Sequence, residues 1–202
     1  KLLTYPPRNK LATLLTKAKD ACPLDEAEII YLLKSKEDSF TTVCQAADEL
    51  RQRSSGREVT YVINRNINYT NICSYKCQFC AFSKGKTSEN LRGKPYQLNV
   101  QDIVARAEEA KQRGATEVCL QGGIHPEYTG QTYIDICHAI REALPDMHIH
   151  AFSPLEIMQG AHTLHLSVPD FLRRLQRAGL NTLPGTAAEI LDDGVRKDLC
   201  PD

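Results

Sequence analysis

Three cysteines fall within eight residues, in the run Cys73-Ser-Tyr-Lys-Cys77-Gln-Phe-Cys80. The spacing is C-x3-C-x2-C, short enough for one loop to turn all three sulfurs inward. Thiolate is the usual ligand of iron–sulfur clusters. A cluster that only carries electrons normally takes four cysteines, and a structural zinc site normally takes four ligands. Three thiolates on a four-iron cluster leave one iron open to a further molecule. Phe79 and Phe82 add apolar cover against water. Zinc remains open as an alternative, with Cys119, Cys137 or His125 as fourth ligand. A disulfide fits less well, because an odd thiol is left over.

Fewer residues stand out elsewhere. Gln121-Gly122-Gly123 permits close backbone approach, either to a ligand or in a tight turn. Glu156 and Glu189 each follow an apolar segment by a few residues. Either carboxylate can accept hydroxyl or ammonium donors, or can simply be a first-turn glutamate favoured by the helix dipole. His148 and His150 flank Ile149, so they project to one side of an extended chain, toward packing or solvent or, for one of them, the lumen of a barrel. His125 precedes Pro126 and reads as a loop histidine. The other five cysteines read as small buried hydrophobes.

These residues need a scaffold. Residues 1–58 carry apolar side chains at helix spacing (Leu11, Leu14, Leu15 and Ala18; then Ile29 to Leu33; then Phe40 to Leu50), and they read as a helical cap. Residues 59–202 alternate between strand and helix signals. Strands are expected at Val59–Asn68, Thr116–Leu120, Met147–Phe152 and Leu180–Leu183. Helices are expected from Asn99 to Gly114, around Tyr133–Leu144, from Ser167 to Gly179, and from Thr186 onward. Such alternation builds a parallel sheet. Four strands in this length make about half of a (βα)8 barrel, whose active site lies at the carboxyl ends of the strands. The cysteine run leaves the first strand at that end. An open doubly wound sheet is the competing fold, but no Gly-x-Gly-x-x-Gly follows the first strand.

Composition narrows the function. Lys+Arg and Asp+Glu are 25 each, a net charge of zero, which lacks the footprint of a nucleic-acid backbone binder. No apolar run approaches the ~18 residues of a membrane span, and no secretory leader is visible. A reducing, cytoplasmic compartment is therefore expected. The chain starts at Lys1 and stops at Asp202, and a piece of a longer protein, truncated at the carboxyl end, is the expectation.

The cysteine run, with an aromatic residue before the third cysteine, resembles the radical S-adenosylmethionine enzymes. The flanks extend the likeness: Asn66-Ile-Asn-Tyr-Thr-Asn-Ile-Cys73, Cys80-Ala-Phe-Ser83, Gln121-Gly-Gly-Ile-His-Pro126, His150-Ala-Phe-Ser-Pro-Leu-Glu-Ile157 and Pro184-Gly-Thr-Ala-Ala-Glu-Ile-Leu191. Together they resemble the second subunit or second half of FO synthase, the CofH family, over roughly residues 20–202.

The resemblance implies an α/β fold, the amino-terminal half of a parallel (βα)-barrel. It implies a [4Fe–4S] cluster on Cys73, Cys77 and Cys80, and S-adenosyl-L-methionine bound near Phe79, Gly122, Gly123, Glu156 and Glu189. The implied reaction moves the 4-hydroxybenzyl group of L-tyrosine onto 5-amino-6-(D-ribitylamino)uracil, toward the deazaflavin of coenzyme F420. A CofG-like partner subunit or fused half is implied as well. The basic residues Lys84, Lys86, Arg92 and Lys94 read as solvated surface, or as a dock for a ferredoxin- or flavodoxin-type electron donor. A futalosine enzyme of the menaquinone pathway shares this architecture. A non-catalytic iron–sulfur or zinc module is the alternative outside enzymes.

Overall fold

The computed structural model describes residues 8–75, 77–78, 80, 94–185 and 192–200. The chain divides into two compact units, Lys1–Thr60 and Tyr61–Asp202.

In the first unit, helices α1 (Arg8–Lys19), α2 (Glu26–Leu33) and α3 (Glu37–Ser55) follow one another. Leu14, Leu15 and Ala46 are buried within it. Asp25 and Glu28 cap α2 reciprocally, each side chain accepting from the other's backbone N–H at 2.8 Å. Lys17 ties α1 to α2 through Glu28, 2.7 Å away.

The second unit is built on three parallel strands in the order β1-β2-β3, comprising β1 (Asn64–Asn68), β2 (Glu117–Gln121) and β3 (His148–Ala151). Helices α4 (Val100–Gln112) and α5 (Gly130–Ala143) connect them, and α6 (Pro154–Thr163), α7 (Val168–Ala178) and α8 (Asp193–Leu199) follow. Local signals set these bounds. Asn99 caps α4 by accepting from Asp102 N at 2.7 Å, and Ser167 caps α7 through Asp170 N. Gly179, left-handed at φ 115°, ends α7.

The core lies on one side of the sheet. Ile67, Val118, Leu120 and Ile149 pack there with Ile103 and Ala107 of α4, Tyr133, Cys137 and Ile140 of α5, and Phe171 and Leu175 of α7. The strand neighbours on the opposite side are polar. Asn66, Cys119 and His150 share one register position, and Asn68 and Gln121 the next.

Several expectations need correction. The first strand begins at Asn64 rather than Val59, because residues 59–63 find only one sheet-type bond, from Thr116 N to Ile63 O. The expected fourth strand is reduced to a single parallel bridge, Thr182 to His150. Helix α6 was not anticipated, although Ser153-Pro154-Leu155-Glu156 is a capping box with proline in the first turn. The helix expected from Thr186 to Leu191 lies outside the described residues.

Candidate functional site

The loops after β1, β2 and β3 meet at the carboxyl end of the sheet, around a pocket of about 250 Å³. Cys73, Cys77, Cys80, Gly122, Gly123 and Glu156 all line it. The three expected cysteines, both glycines and one of the two glutamates are therefore brought together. Phe79 and Glu189 lie outside the described residues, as do Lys84, Lys86 and Arg92.

Backbone bonds fix the cysteine loop against the loop after β2. Gly123 N donates to Thr70 O at 3.0 Å, Ile124 N to Cys73 Sγ at 3.3 Å, and Ser74 N to Ile124 O at 2.8 Å. The glycines permit this closeness. A β-carbon on Gly123 would overlap the Ile72 carbonyl and stand 2.9 Å from Cys73 Cβ. One on Gly122 would overlap the Tyr69 ring. Neither glycine has a positive φ, so close approach, not a special turn, is what excludes side chains here.

Farther along, Gln78 N donates to Leu199 O at 2.9 Å and Gln78 Nε2 to Asp198 O at 2.7 Å. This seats the end of α8 against the loop and puts the Cys200 thiol in hydrogen-bond contact with Cys77. Burial and this contact push the Cys77 thiol up to about 11. The juxtaposition spans more than a hundred residues of sequence, and no local signal announced it.

Glu156 is 1% exposed, and it joins all three strand ends. Its Oε1 accepts from the Tyr69 hydroxyl beyond β1 and from Gly122 N beyond β2, the latter at 3.1 Å. Its Oε2 accepts from Ser153 N beyond β3 at 2.6 Å. Burial raises the Glu156 carboxyl above its ordinary range, opposed by these donors. Burial, then the carboxylate, holds the Tyr69 phenol well above its usual value. Glu156 is thus both the first-turn glutamate of α6 and a rim clasp. Tyr69, its partner, carries no signal in the sequence.

The remaining cysteines separate. Cys137 is fully buried in the core, its thiol pushed up to about 12 by burial. Cys119 is half-buried on the polar side of the sheet, and Cys22 and Cys44 are exposed, contrary to the expectation that all five are buried. His125 stacks on Tyr128 with ring centroids 4.6 Å apart, and its Nδ1 accepts from Glu127 N. Neither Cys137 nor His125 lines the thiol pocket. Among the described residues no three His, Cys, Asp or Glu side chains are gathered around a single-ion site.

The family model described as Radical SAM superfamily matches residues 67–201. The chain belongs to the radical SAM superfamily. Enzymes of that superfamily use a [4Fe–4S] cluster and S-adenosylmethionine. Among curated radical SAM relatives, the "FO synthase" of Streptomyces coelicolor is 44% identical over 185 residues, 92% of this chain and 21% of that one. The "5-amino-6-(D-ribitylamino)uracil--L-tyrosine 4-hydroxyphenyl transferase" of Methanopyrus kandleri is 44% identical over 179 residues, 89% of this chain and 47% of that one. The enzyme of the same name from Microcystis aeruginosa is 42% identical, with 94% of this chain matching 50% of that one. The chain thus spans about half the length of the transferases it matches.

Solved structures agree on the fold. The FeFe-hydrogenase maturase HydG from Carboxydothermus hydrogenoformans aligns with a TM-score of 0.71 at 17% identity, over 97% of this chain and 42% of that one. Methylornithine synthase aligns with a TM-score of 0.56 at 16% identity, over 84% of this chain and 57% of that one. The parallel sheet and its helices are the amino-terminal part of a radical SAM barrel.

Proposed function

We propose that this chain carries the cluster-binding half of an enzyme that joins the 4-hydroxybenzyl group of L-tyrosine to 5-amino-6-(D-ribitylamino)uracil. The observation that carries the reading is the opening of Cys73, Cys77 and Cys80 onto one pocket, in a chain 44% identical to the Methanopyrus transferase.

The donor set fits a [4Fe–4S] cluster. Cys73, Cys77 and Cys80 open onto one pocket, and the Cys200 thiol lies beside Cys77 as a further sulfur. Cys73, Cys77 and Cys80 would hold three irons, leaving the fourth for S-adenosylmethionine. When bound and reduced by one electron, that cofactor supplies a 5′-deoxyadenosyl radical and methionine.

The chain's own residues shape the space for this chemistry. Ile124 N donates to the Cys73 sulfur, a bond that holds it in place at the pocket. Gly122 and Gly123 let the loop after β2 close against Tyr69 and the cysteine loop. Glu156 and Tyr69 hold the strand ends at fixed separation, so the pocket keeps its width. Phe79 is assigned to cover the cluster and Glu189 to the cofactor's rim. The same aligned stretch is 21% of the FO synthase and 47% of the transferase. We assign to the whole protein a CofG-like partner, as a separate subunit or a fused half. The basic segment with Lys84, Lys86, Arg92 and Lys94 is assigned to an acidic donor of ferredoxin or flavodoxin type.

The test is anaerobic reconstitution of the full-length protein with iron and sulfide, followed by incubation with S-adenosylmethionine, a reductant, tyrosine and the aminouracil. 5′-Deoxyadenosine should form, together with an adduct in which a 4-hydroxybenzyl group replaces one hydrogen of the uracil, and the imino acid fragment left from tyrosine. Turnover of futalosine derivatives in place of tyrosine would overturn the reading.

A further inference from the structure

Parallel sheets are ordinarily apolar on both faces, and barrel interiors are filled mostly by branched aliphatic side chains. The face of this sheet turned away from the helices breaks that rule at every position but Cys119. Asn64, Glu117 and His148 share one register level, Asn66, Cys119 and His150 the next, and Asn68 and Gln121 the level nearest the cysteines. Thr182 pairs with His150 and extends the middle row. Asn66, Asn68 and Gln121 also line the cysteine pocket, so pocket and face are continuous.

Within the face, Thr182 links the two histidines. Its Oγ1 lies 2.8 Å from His148 Nε2 and 2.6 Å from His150 Nδ1. One hydroxyl can donate only once, so it accepts from one ring and donates to the other. Glu117 Oε2 stands 3.7 Å from His148 Nε2, which favours the proton on that nitrogen. His148 therefore donates to Thr182, and Thr182 donates to His150 Nδ1. The remaining nitrogen of neutral His150, Nε2, then carries its proton and is a donor. The backbone holds Thr182 for this task, with Ala151 N donating to Thr182 O at 3.0 Å and Thr182 N to Ile149 O at 3.2 Å.

From this geometry we infer that Asn66, Asn68, Gln121 and His150, with Thr182 orienting His150, form the subsite for the neutral ribitylaminouracil rather than for tyrosine. The inference rests on the substrate pair proposed above. Amides match the donor and acceptor edges of a uracil, and amides, hydroxyl and imidazole match a polyol chain. Tyrosine carries a carboxylate, whose strongest partner is a cation, whereas the uracil and its polyol need only neutral donors and acceptors. Among the described residues of the three strands no lysine or arginine is on this face, and Arg65, on the helix side, is bound to Glu109.

The test uses the full-length, cluster-loaded protein. Thr182→Val should raise the KM for the aminouracil about tenfold while leaving the KM for tyrosine and the iron content unchanged, and Thr182→Ser should restore it. Calorimetry with 6-(D-ribitylamino)uracil, which lacks the oxidisable 5-amino group, should show the same tenfold loss for Thr182→Val without turnover. His150→Phe should weaken that binding at least as much. An unchanged uracil KM in an active Thr182→Val enzyme, or a rise in the tyrosine KM instead, overturns the subsite and leaves the proposed reaction standing. A wild-type enzyme that converts neither substrate overturns both.

Discussion

The same three strands present two faces of opposite character. Toward the helices they offer Ile67, Val118, Leu120, Ile149 and Ala151, all buried. Away from the helices they offer amides, a thiol, carboxylate and imidazoles, most of them half-exposed or exposed. Period-two alternation puts both on one backbone. Burying a leucine-sized side chain contributes about 1.5–3 kcal/mol, and the helix face gathers many such terms. The other face gives up that gain and keeps hydrogen-bonding groups instead. Stability is concentrated on one side of the sheet and chemistry on the other, with the cysteine pocket at the rim where they meet.

The sharpest way to break this division is at the rim. Cys73→Ala, Cys77→Ala and Cys80→Ala should each strip iron from the reconstituted protein and abolish 5′-deoxyadenosine formation. Cys137→Ala, on the helix side, should keep its iron. Iron analysis and the nucleoside assay check this, and a fully active Cys77→Ala protein would sink the assignment. Next in size is the helix face itself. Ile149→Ala should cost about 2–5 kcal/mol, read by denaturant unfolding, because a fully buried site cannot collapse around the cavity.

Between the faces stands the clasp. Tyr69→Phe leaves Glu156 short of one donor in a dry site and should cost about 1–3 kcal/mol. The raised Glu156 carboxyl also gives stability a pH slope. As pH rises through the ordinary carboxylate range toward the folded value, the unfolded chain sheds this proton before the folded one does, so stability falls. Glu156→Gln should remove that slope in a pH series of unfolding curves. The smallest effect belongs to the polar face, where His150→Ala should change stability by no more than about 0.5 kcal/mol while weakening uracil binding. A large loss of stability there would erase the distinction between the faces.

Local signals revealed the parts that depend on local physics. The cysteine spacing, the Asn99 and Ser167 caps and the glycine stop at Gly179 are written in a few adjacent residues each. The alternation Asn66-Ile67-Asn68 and His148-Ile149-His150 already marks two unlike faces. What escaped depends on partners far along the chain. Val59 to Ile63 has strand-like residues but a single sheet-type bond, at Ile63, and propensity alone does not show that. Ser153-Pro154-Leu155-Glu156 was legible as a helix start but reads equally well as a rim motif. The Tyr69–Glu156 bond and the seat of Cys200 beside Cys77 join distant segments, and no periodicity encodes them.

The clasp also sets an order of events during synthesis. Tyr69 and Glu156 are 87 residues apart in sequence, and Gly122 lies between them. The strands lie in the sheet in the order in which they leave the ribosome, so each can add to the edge of the one before. The cysteine loop emerges early, but the carboxylate that locks its strand to the other two comes last. Until residue 156 emerges, the thiols stand on an unlocked rim, and a cluster delivered before that point would meet a loop still free to move.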